Sequence, residues 1–307
     1  MNDNRFVENL KAYAFLFPFL LVFVVFLGYP IVYSLVLSVH EVPAYSDWYN
    51  VIGDMEYVGG KHYFNLMQDK EFAWTLILTV YYGILTIPTT IALSLFLAIL
   101  LQKSFFGRTF FRSAYFLPNV LDLLVIGVIW ILLYRPETGL LNILFHEIGL
   151  LPEKFEFLTN PYSCLPSIAV AMVFKGAGFG MILFLTAINN IPKSTYEAAE
   201  IDGANEWHKL WYITLPLVRP IVLFMTITGT IACLTAFTEV YAMTTNSGGP
   251  PVTFFGETFK AANLSGYYLY RGFIDGFYGK AAAVSFVLLA IALVISFANM
   301  RILKKQD

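Results

Sequence analysis

The sequence predicts an all-α membrane protein with six transmembrane helices. Its 307 residues are 58% hydrophobic and only 13% charged, whereas a soluble domain is about 45–50% apolar and about 25% charged. Six apolar stretches also reach the roughly 20 residues that a helix needs to cross a bilayer. A net charge of −2 provides no basic surface for nucleic acid. These observations favour a polytopic membrane domain over a large soluble core.

The first three spans follow from runs with almost no charge. The runs Ala12–Val39 and Phe72–Gln102 contain no charged residue, and Ser113–Tyr134 contains only Asp122. The first run exceeds the 7–15 apolar residues of a cleaved signal peptide, and no A-x-A-like site follows it. We therefore expect it to be a permanent span.

The last three spans are predicted in the same way. The apolar part of the fourth run, about 164–188, contains only Lys175. The fifth run ends against Glu239, and the sixth ends against Arg301. We predict one transmembrane domain over residues 1–307, with a cytoplasmic loop at 189–217 and spans at about 12–37, 74–101, 113–134, 164–188, 218–240 and 280–301.

The distribution of basic residues predicts the orientation. The segments on the side of the two termini carry 11 Lys and Arg in 61 positions, and the opposite segments carry 6 in 104 positions. Basic residues are enriched in cytoplasmic loops. We expect a multi-pass protein of the cytoplasmic (inner) membrane of a bacterial or archaeal type of cell, with both termini in the cytoplasm.

The loop at 189–217 has the composition of a helical hairpin. Pro192 ends the preceding span, and Ser194 or Thr195 is expected to cap a new helix together with Glu197. Gly203 permits a turn, and a second short helix is predicted over about 206–212. Such a hairpin at the membrane surface suits docking into a groove of a partner protein.

The same loop carries a spaced motif. Its fixed positions are E-A-A, a Gly after three residues, and I-x-L-P after nine more. Leu215 is one of these seven positions, and the other six are Glu197, Ala198, Ala199, Gly203, Ile213 and Pro216. This pattern resembles the EAA loop of the permeases of binding-protein-dependent ABC importers. The resemblance implies the transmembrane fold of type I ABC importers. It also implies that these six residues belong to the loop that couples the permease to its ATPase, with Gly203 bending the hairpin.

Other segments are similar to the sugar-permease branch of that family, in particular to the larger subunit of the maltose and glycerol-phosphate type. They include the first span, the entry to the third span, and the Gly-Gly-Pro at 248–250. The stretch at 251–270 is longer than the resemblance leads one to expect. The resemblance implies import of a carbohydrate, with a second, different permease, two cytoplasmic ATPase subunits and an external solute-binding protein as partners.

Catalysis and cofactors are not predicted for this chain. It contains no G-x-x-x-x-G-K-[ST], no G-x-S-x-G and no H-E-x-x-H. The four histidines are scattered, and the two cysteines lack metal or disulfide spacing. We expect neither an ATPase of its own nor a bound metal, so hydrolysis falls to the partner subunit.

Polar residues within or beside the spans are candidates for the solute pathway, because ionisable groups are costly in lipid. The candidates are Asp122, Lys175, Thr235, Glu239 and Tyr241. The alternative for each is an interhelical pair or, for Glu239, a place near the membrane interface.

Alternative functions remain at this point. An ABC permease for an amino acid, a polyamine or phosphate would carry the same loop. A secondary transporter would show inverted repeats, which we do not find, and an intramembrane enzyme would need convergent catalytic residues.

Overall fold

The computed structural model describes residues 3–43, 51–254 and 256–304, so positions 1, 2 and 305–307 of the predicted cytoplasmic ends lie outside it. The chain, predicted as a single transmembrane domain, is described below as two compact units. One comprises the described parts of residues 1–69 and 269–289, and the other comprises 70–268 and the described residues from 290 onwards.

The first unit begins with a long apolar helical run. It consists of α1 (Asp3–Phe23), a π-helical turn (Val24–Gly28) and α2 (Tyr29–Ser38). The π turn ends just before Pro30, which has no N–H to donate to the preceding turn. None of the most apolar window of Tyr13–Ser38 is buried, as expected of a helix whose side chains face lipid.

Short elements follow in the first unit, up to Asp69. They are β1 (His40–Glu41), α3 (Val51–Asp54), β2 (Glu56–Tyr57) and α4 (Lys61–Gln68). The strands pair antiparallel, with His40 opposite Tyr57. The Lys280 ammonium lies 2.8 Å from the Asp69 carboxylate.

Most helices of the chain lie in the second unit. In order they are α5 (Lys70–Gln102), α6 (Arg108–Val120), α7 (Leu123–Tyr134), α8 (Leu140–Glu147), α9 (Cys164–Asn189), α10 (Lys193–Ile201), α11 (Glu206–Lys209), a π turn (Leu210–Thr214), α12 (Leu215–Leu217), α13 (Arg219–Leu234) and α14 (Thr238–Met243).

A β-hairpin and two helices follow α14. Strands β3 (Pro251–Phe254) and β4 (Glu257–Lys260) pair antiparallel. Helices α15 (Ser265–Ile274) and α16 (Tyr278–Lys304) complete the described chain. The hairpin and α15 account for the long stretch at 251–270.

Helix α9 packs closely against α5 because small residues face each other. A Cβ on Gly180 would lie 2.3 Å from the Ser94 hydroxyl oxygen, and that hydroxyl donates to the Ala177 carbonyl at 3.0 Å. Small residues let membrane helices approach closely. A buried cluster fills this contact and includes Leu97, Met181, Phe184 and Val218.

The six-span prediction is compatible with the structure, but the third span is bent, and the end of the loop at 189–217 meets the fifth span at an angle. Among the described residues, four helical runs are long and apolar enough to cross a membrane, and two helix pairs pass the same test together. Helices α6 and α7 bend by 106°, and residues 206–217 bend by 60° against α13. The first break falls inside the predicted span 113–134, at Asp122, whose carboxylate accepts from Leu124 N at 2.8 Å.

Candidate functional site

The motif residues of the long loop lie on a compact helical hairpin, which we call the coupling hairpin (residues 189–217). Its first helix, α10, begins at Lys193 directly after Pro192. The predicted cap by Ser194 or Thr195 is therefore wrong: both residues lie within the helix, and Pro192, in the cap position, makes no side-chain hydrogen bond. Pro192 has φ = −57° and ψ = 133°, so its backbone is extended and the helix begins at the next residue, with Ser194 and Thr195 inside its first turn.

Gly203 ends α10 in a left-handed conformation. Its φ is +81°, its N–H donates to Glu200 O at 3.0 Å, and Ala204 N donates to Ala199 O at 2.8 Å. These two bonds form a Schellman motif, which favours glycine at the left-handed position. A Cβ here would meet nothing within 4 Å. The requirement for glycine is therefore conformational rather than steric.

Two side-chain contacts join the halves of the hairpin. The Lys209 ammonium donates to the carboxylates of Glu200 at 2.7 Å and Glu206 at 3.0 Å, and the Tyr196 and Thr214 hydroxyls lie 2.9 Å apart. The bonds to Glu200 and Glu206 raise the pKa of Lys209, and the bond from Lys209 lowers the pKa of Glu206. The hairpin is therefore held as a single body.

The outer face of α10 is open to solvent. Glu197 and Ala198 are exposed, and 88% of Ile201 is exposed although it is a large apolar side chain. By contrast, Ile213 and Pro216 are half-buried at the base of the hairpin. The six motif residues thus divide into an exposed face, the Gly203 turn, and a base that joins the hairpin to α13.

A second candidate site is a cavity among α5, α7, α9, α13 and α14, which we call the inner cavity. Its volume is about 270 Å³, and its polar lining consists of Tyr82, Thr86, Thr90, Cys233 and Glu239. Glu239 is only 9% exposed, and the Tyr82 hydroxyl donates to its carboxylate at 3.4 Å. A carboxylate and hydroxyls lining an apolar cavity can orient a polar ligand by hydrogen bonds.

The predicted pathway residues do not all reach this cavity. Only Glu239 lines it directly. The Lys175 ammonium donates to Asn119 O at 3.3 Å, and Asp122 caps α7. The Thr235 hydroxyl donates back to Ile231 O at 2.9 Å.

Tyr241 is half-buried and does not line the inner cavity. The neighbours of Asp122 and Lys175, Leu123 and Gly176, do line it.

Sequence reasoning missed Tyr82, Thr86 and Cys233. Tyr82 and Glu239 are 157 positions apart, and each of the three missed residues is an ordinary member of an apolar run. Small hydroxyl and thiol groups occur in most membrane helices, where they bond to their own backbone, as Thr86 does to Tyr82 O at 2.8 Å. No local pattern marks them as cavity residues.

Comparison with known proteins places most of the chain in one family. Residues 75–305 match the family described as "Binding-protein-dependent transport system inner membrane component". The lactose transport system permease protein of Rhizobium radiobacter is 32% identical over 94% of this chain and 92% of its own length. An arabinooligosaccharides transport system permease protein of Bacillus subtilis is 28% identical over 98% of this chain and 90% of its own length.

Solved structures share the fold. A chain of a bacterial ABC transporter involved in the import of the acidic polysaccharide alginate superposes with a TM-score of 0.79 at 22% identity, covering 98% of both chains. A chain of a bacterial alginate ABC transporter in complex with a pentasaccharide-bound periplasmic protein gives 0.77 at 23% identity, covering 96% of this chain and 94% of that one. The likeness extends over nearly the whole length.

Proposed function

The chain belongs to the family of inner membrane components of binding-protein-dependent transport systems, and from this premise we propose that it is a permease subunit of an ATP-driven importer of a carbohydrate. The observation that carries the proposal is the EAA loop, folded as an exposed hairpin, in a chain with relatives that are named for lactose and for arabinooligosaccharides. Those names favour a carbohydrate over an amino acid, a polyamine or phosphate.

The proposed partners follow from the family. The importer comprises this chain, a second and different permease, two cytoplasmic ATPase subunits that hydrolyse ATP, and an external solute-binding protein. One similar structure is a complex with a periplasmic protein, which supports the last of these. The basic residues of the predicted internal segments support an orientation with both termini in the cytoplasm.

The coupling hairpin is proposed to dock into the ATPase. Ile201 and Ala198 offer an apolar surface, and Glu197 offers an exposed carboxylate for a basic group of the partner. The bonds of Lys209 and Tyr196 keep the two halves together. If the ATPase displaced α10, the whole hairpin would therefore move as one body and would move the start of α13 with it.

The inner cavity is proposed to form this subunit's part of the solute pathway. Sugar hydroxyls both donate and accept hydrogen bonds, and the Glu239 carboxylate with the Tyr82 and Thr86 hydroxyls provides matching groups. Asp122 and Lys175 lie one position from cavity-lining residues, so a rearrangement of α7 or α9 would bring them to the solute. Thr235 and Tyr241, the other two candidates from the sequence, are proposed as further residues of the solute pathway.

Co-purification from native membranes in mild detergent, followed by mass spectrometry, tests the assignment. We expect a second six-span permease and an ATPase with a Walker motif. Proteoliposomes containing the complex should take up sugars from a panel that includes lactose and arabino-oligosaccharides, and should not take up spermidine or amino acids. Purification without any ATPase in several detergents, or uptake of amino acids alone, would contradict the proposal.

A further inference from the structure

A second cavity lies at the end of the second unit opposite the coupling hairpin, where α7 ends and α9 begins. We call it the outer cavity; its volume is about 500 Å³, within the range of about 300–1,000 Å³ typical of ligand sites. We propose that it is an entry subsite for a carbohydrate that carries a carboxylate, such as a uronic acid residue. This inference rests on the proposed function, because it assumes that a sugar is the solute.

Aromatic rings form one wall of the outer cavity. The rings of Tyr134 and Phe157 stack with centroids 4.6 Å apart and an interplanar angle of 24°. The Tyr134 hydroxyl is anchored by its hydrogen bond to Ser167 O at 3.0 Å, so the pair is fixed in place. Phe157 is half-buried and presents a rigid apolar surface against which a pyranose ring can pack.

The charges on the lining favour an anion. Arg135 and Lys260 both line the cavity, and their side chains donate hydrogen bonds but accept none. The one acidic lining residue, Glu156, accepts a hydrogen bond from the Thr159 hydroxyl at 2.6 Å. With two cationic side chains and one carboxylate, the lining carries more positive than negative charge. A planar guanidinium suits a carboxylate, which it can bind through two parallel bonds.

The backbone on the opposite wall is strained. Thr245, which lines the cavity, has φ = +52°, and Asn246 has φ = +59°. A β-branched residue rarely adopts this conformation, and such strain persists where the surrounding structure enforces it, often at ligand sites. Here the Asn246 carboxamide accepts from the Tyr267 hydroxyl at 3.1 Å, and Asn246 N donates to Tyr241 O at 2.9 Å. The segment is thus held in a conformation that shapes the cavity.

Direct binding to the purified complex in nanodiscs tests the inference. The probes are digalacturonate and, as the neutral control, lactose, and binding is measured by isothermal titration calorimetry and saturation-transfer NMR. We expect digalacturonate to bind at least about tenfold more tightly than lactose, which corresponds to one additional charge-assisted contact. That affinity should fall at least about tenfold in the double variant R135Q/K260Q. The variant Arg135→Lys keeps the positive charge but loses the planar fork of donors, so its affinity for digalacturonate should lie between those of the unmodified chain and R135Q/K260Q.

The control variant is Lys154→Gln, which removes a cation of the same loop that pairs with Glu137 instead of lining the cavity; it should bind like the unmodified chain. Equal affinity for both probes, or no effect of R135Q/K260Q, would overturn the inference. The inference would also be overturned if R135Q/K260Q bound digalacturonate normally but bound the solute-binding protein more weakly. The cavity would then be a contact surface for that protein. ATP-driven uptake of a neutral sugar by the unmodified complex separates the two levels: if uptake proceeds but that complex does not bind digalacturonate, the entry subsite fails and the importer assignment stands.

Discussion

The coupling hairpin and the inner cavity differ in how their residues are brought together. The two side-chain contacts that join the halves of the hairpin span fewer than 20 positions: Tyr196 and Thr214 are separated by 18, and Glu200 and Lys209 by 9. The inner cavity joins Tyr82 to Glu239 across 157 positions. A local motif can therefore specify the hairpin, whereas the cavity exists only after α5, α9 and α13 have packed.

The two regions also differ in exposure. The hairpin presents the outer face of α10 to solvent, and Ile201 remains 88% exposed. The cavity buries Glu239 to 9% exposure. We therefore expect substitutions in the hairpin to separate ATP hydrolysis from transport, and substitutions in the cavity to alter recognition of the solute.

The largest effect is expected at Gly203. In Gly203→Val a β-branched residue must adopt φ = +81°, and the left-handed region costs about 1–2 kcal/mol for an L-residue. The number of sugars transported per ATP should fall about tenfold, as measured in proteoliposomes. Because a Cβ meets nothing within 4 Å, Gly203→Asn is the matched control: asparagine tolerates this conformation and should retain most coupling. Normal transport by Gly203→Val would contradict the role of the turn.

A smaller effect is expected in the inner cavity. Glu239→Gln replaces the carboxylate by an amide of similar shape. Loss of a hydrogen bond between the sugar and a charged group should raise the KM for the imported sugar about tenfold. ATP hydrolysis by the complex without solute should be unchanged. Tyr82→Phe removes only the hydroxyl that donates to Glu239 and should have a weaker effect in the same direction. An unchanged KM in both variants would remove the cavity from the pathway.

The smallest effect is expected at the contact that joins the two halves of the hairpin. Lys209→Met keeps the length of the side chain but loses the bonds to Glu200 and Glu206, so α10 would move more independently of α11. Coupling should fall about threefold, because partly exposed ion pairs contribute little. Lys209→Arg should restore it, and Lys193→Met, at the exposed start of α10, is the control. A loss as large as that of Gly203→Val would mean that Lys209 contacts the ATPase directly.

Parts of the fold were accessible from sequence because they depend on composition. A run such as Phe72–Gln102 can satisfy its backbone in lipid only as a helix, and α5 extends over Lys70–Gln102. The break at Asp122 was not predicted, because one acidic residue in an apolar run is compatible with a continuous span. Its carboxylate caps α7 instead, and the 106° bend becomes visible only in three dimensions.

The sequence by itself determined the class of protein, the number of apolar runs and the location of the EAA motif, because these depend on composition and on the spacing of near neighbours. Only the tertiary structure decided which polar side chains share a cavity, that Asp122 and Thr235 bond to nearby backbone groups, and that Arg135 and Lys260 line the same outer cavity. The physical reason is how far apart along the chain the contacting residues are. Hydrogen bonds within a helical hairpin join near neighbours in sequence, whereas a cavity is the space left between helices that are far apart along the chain.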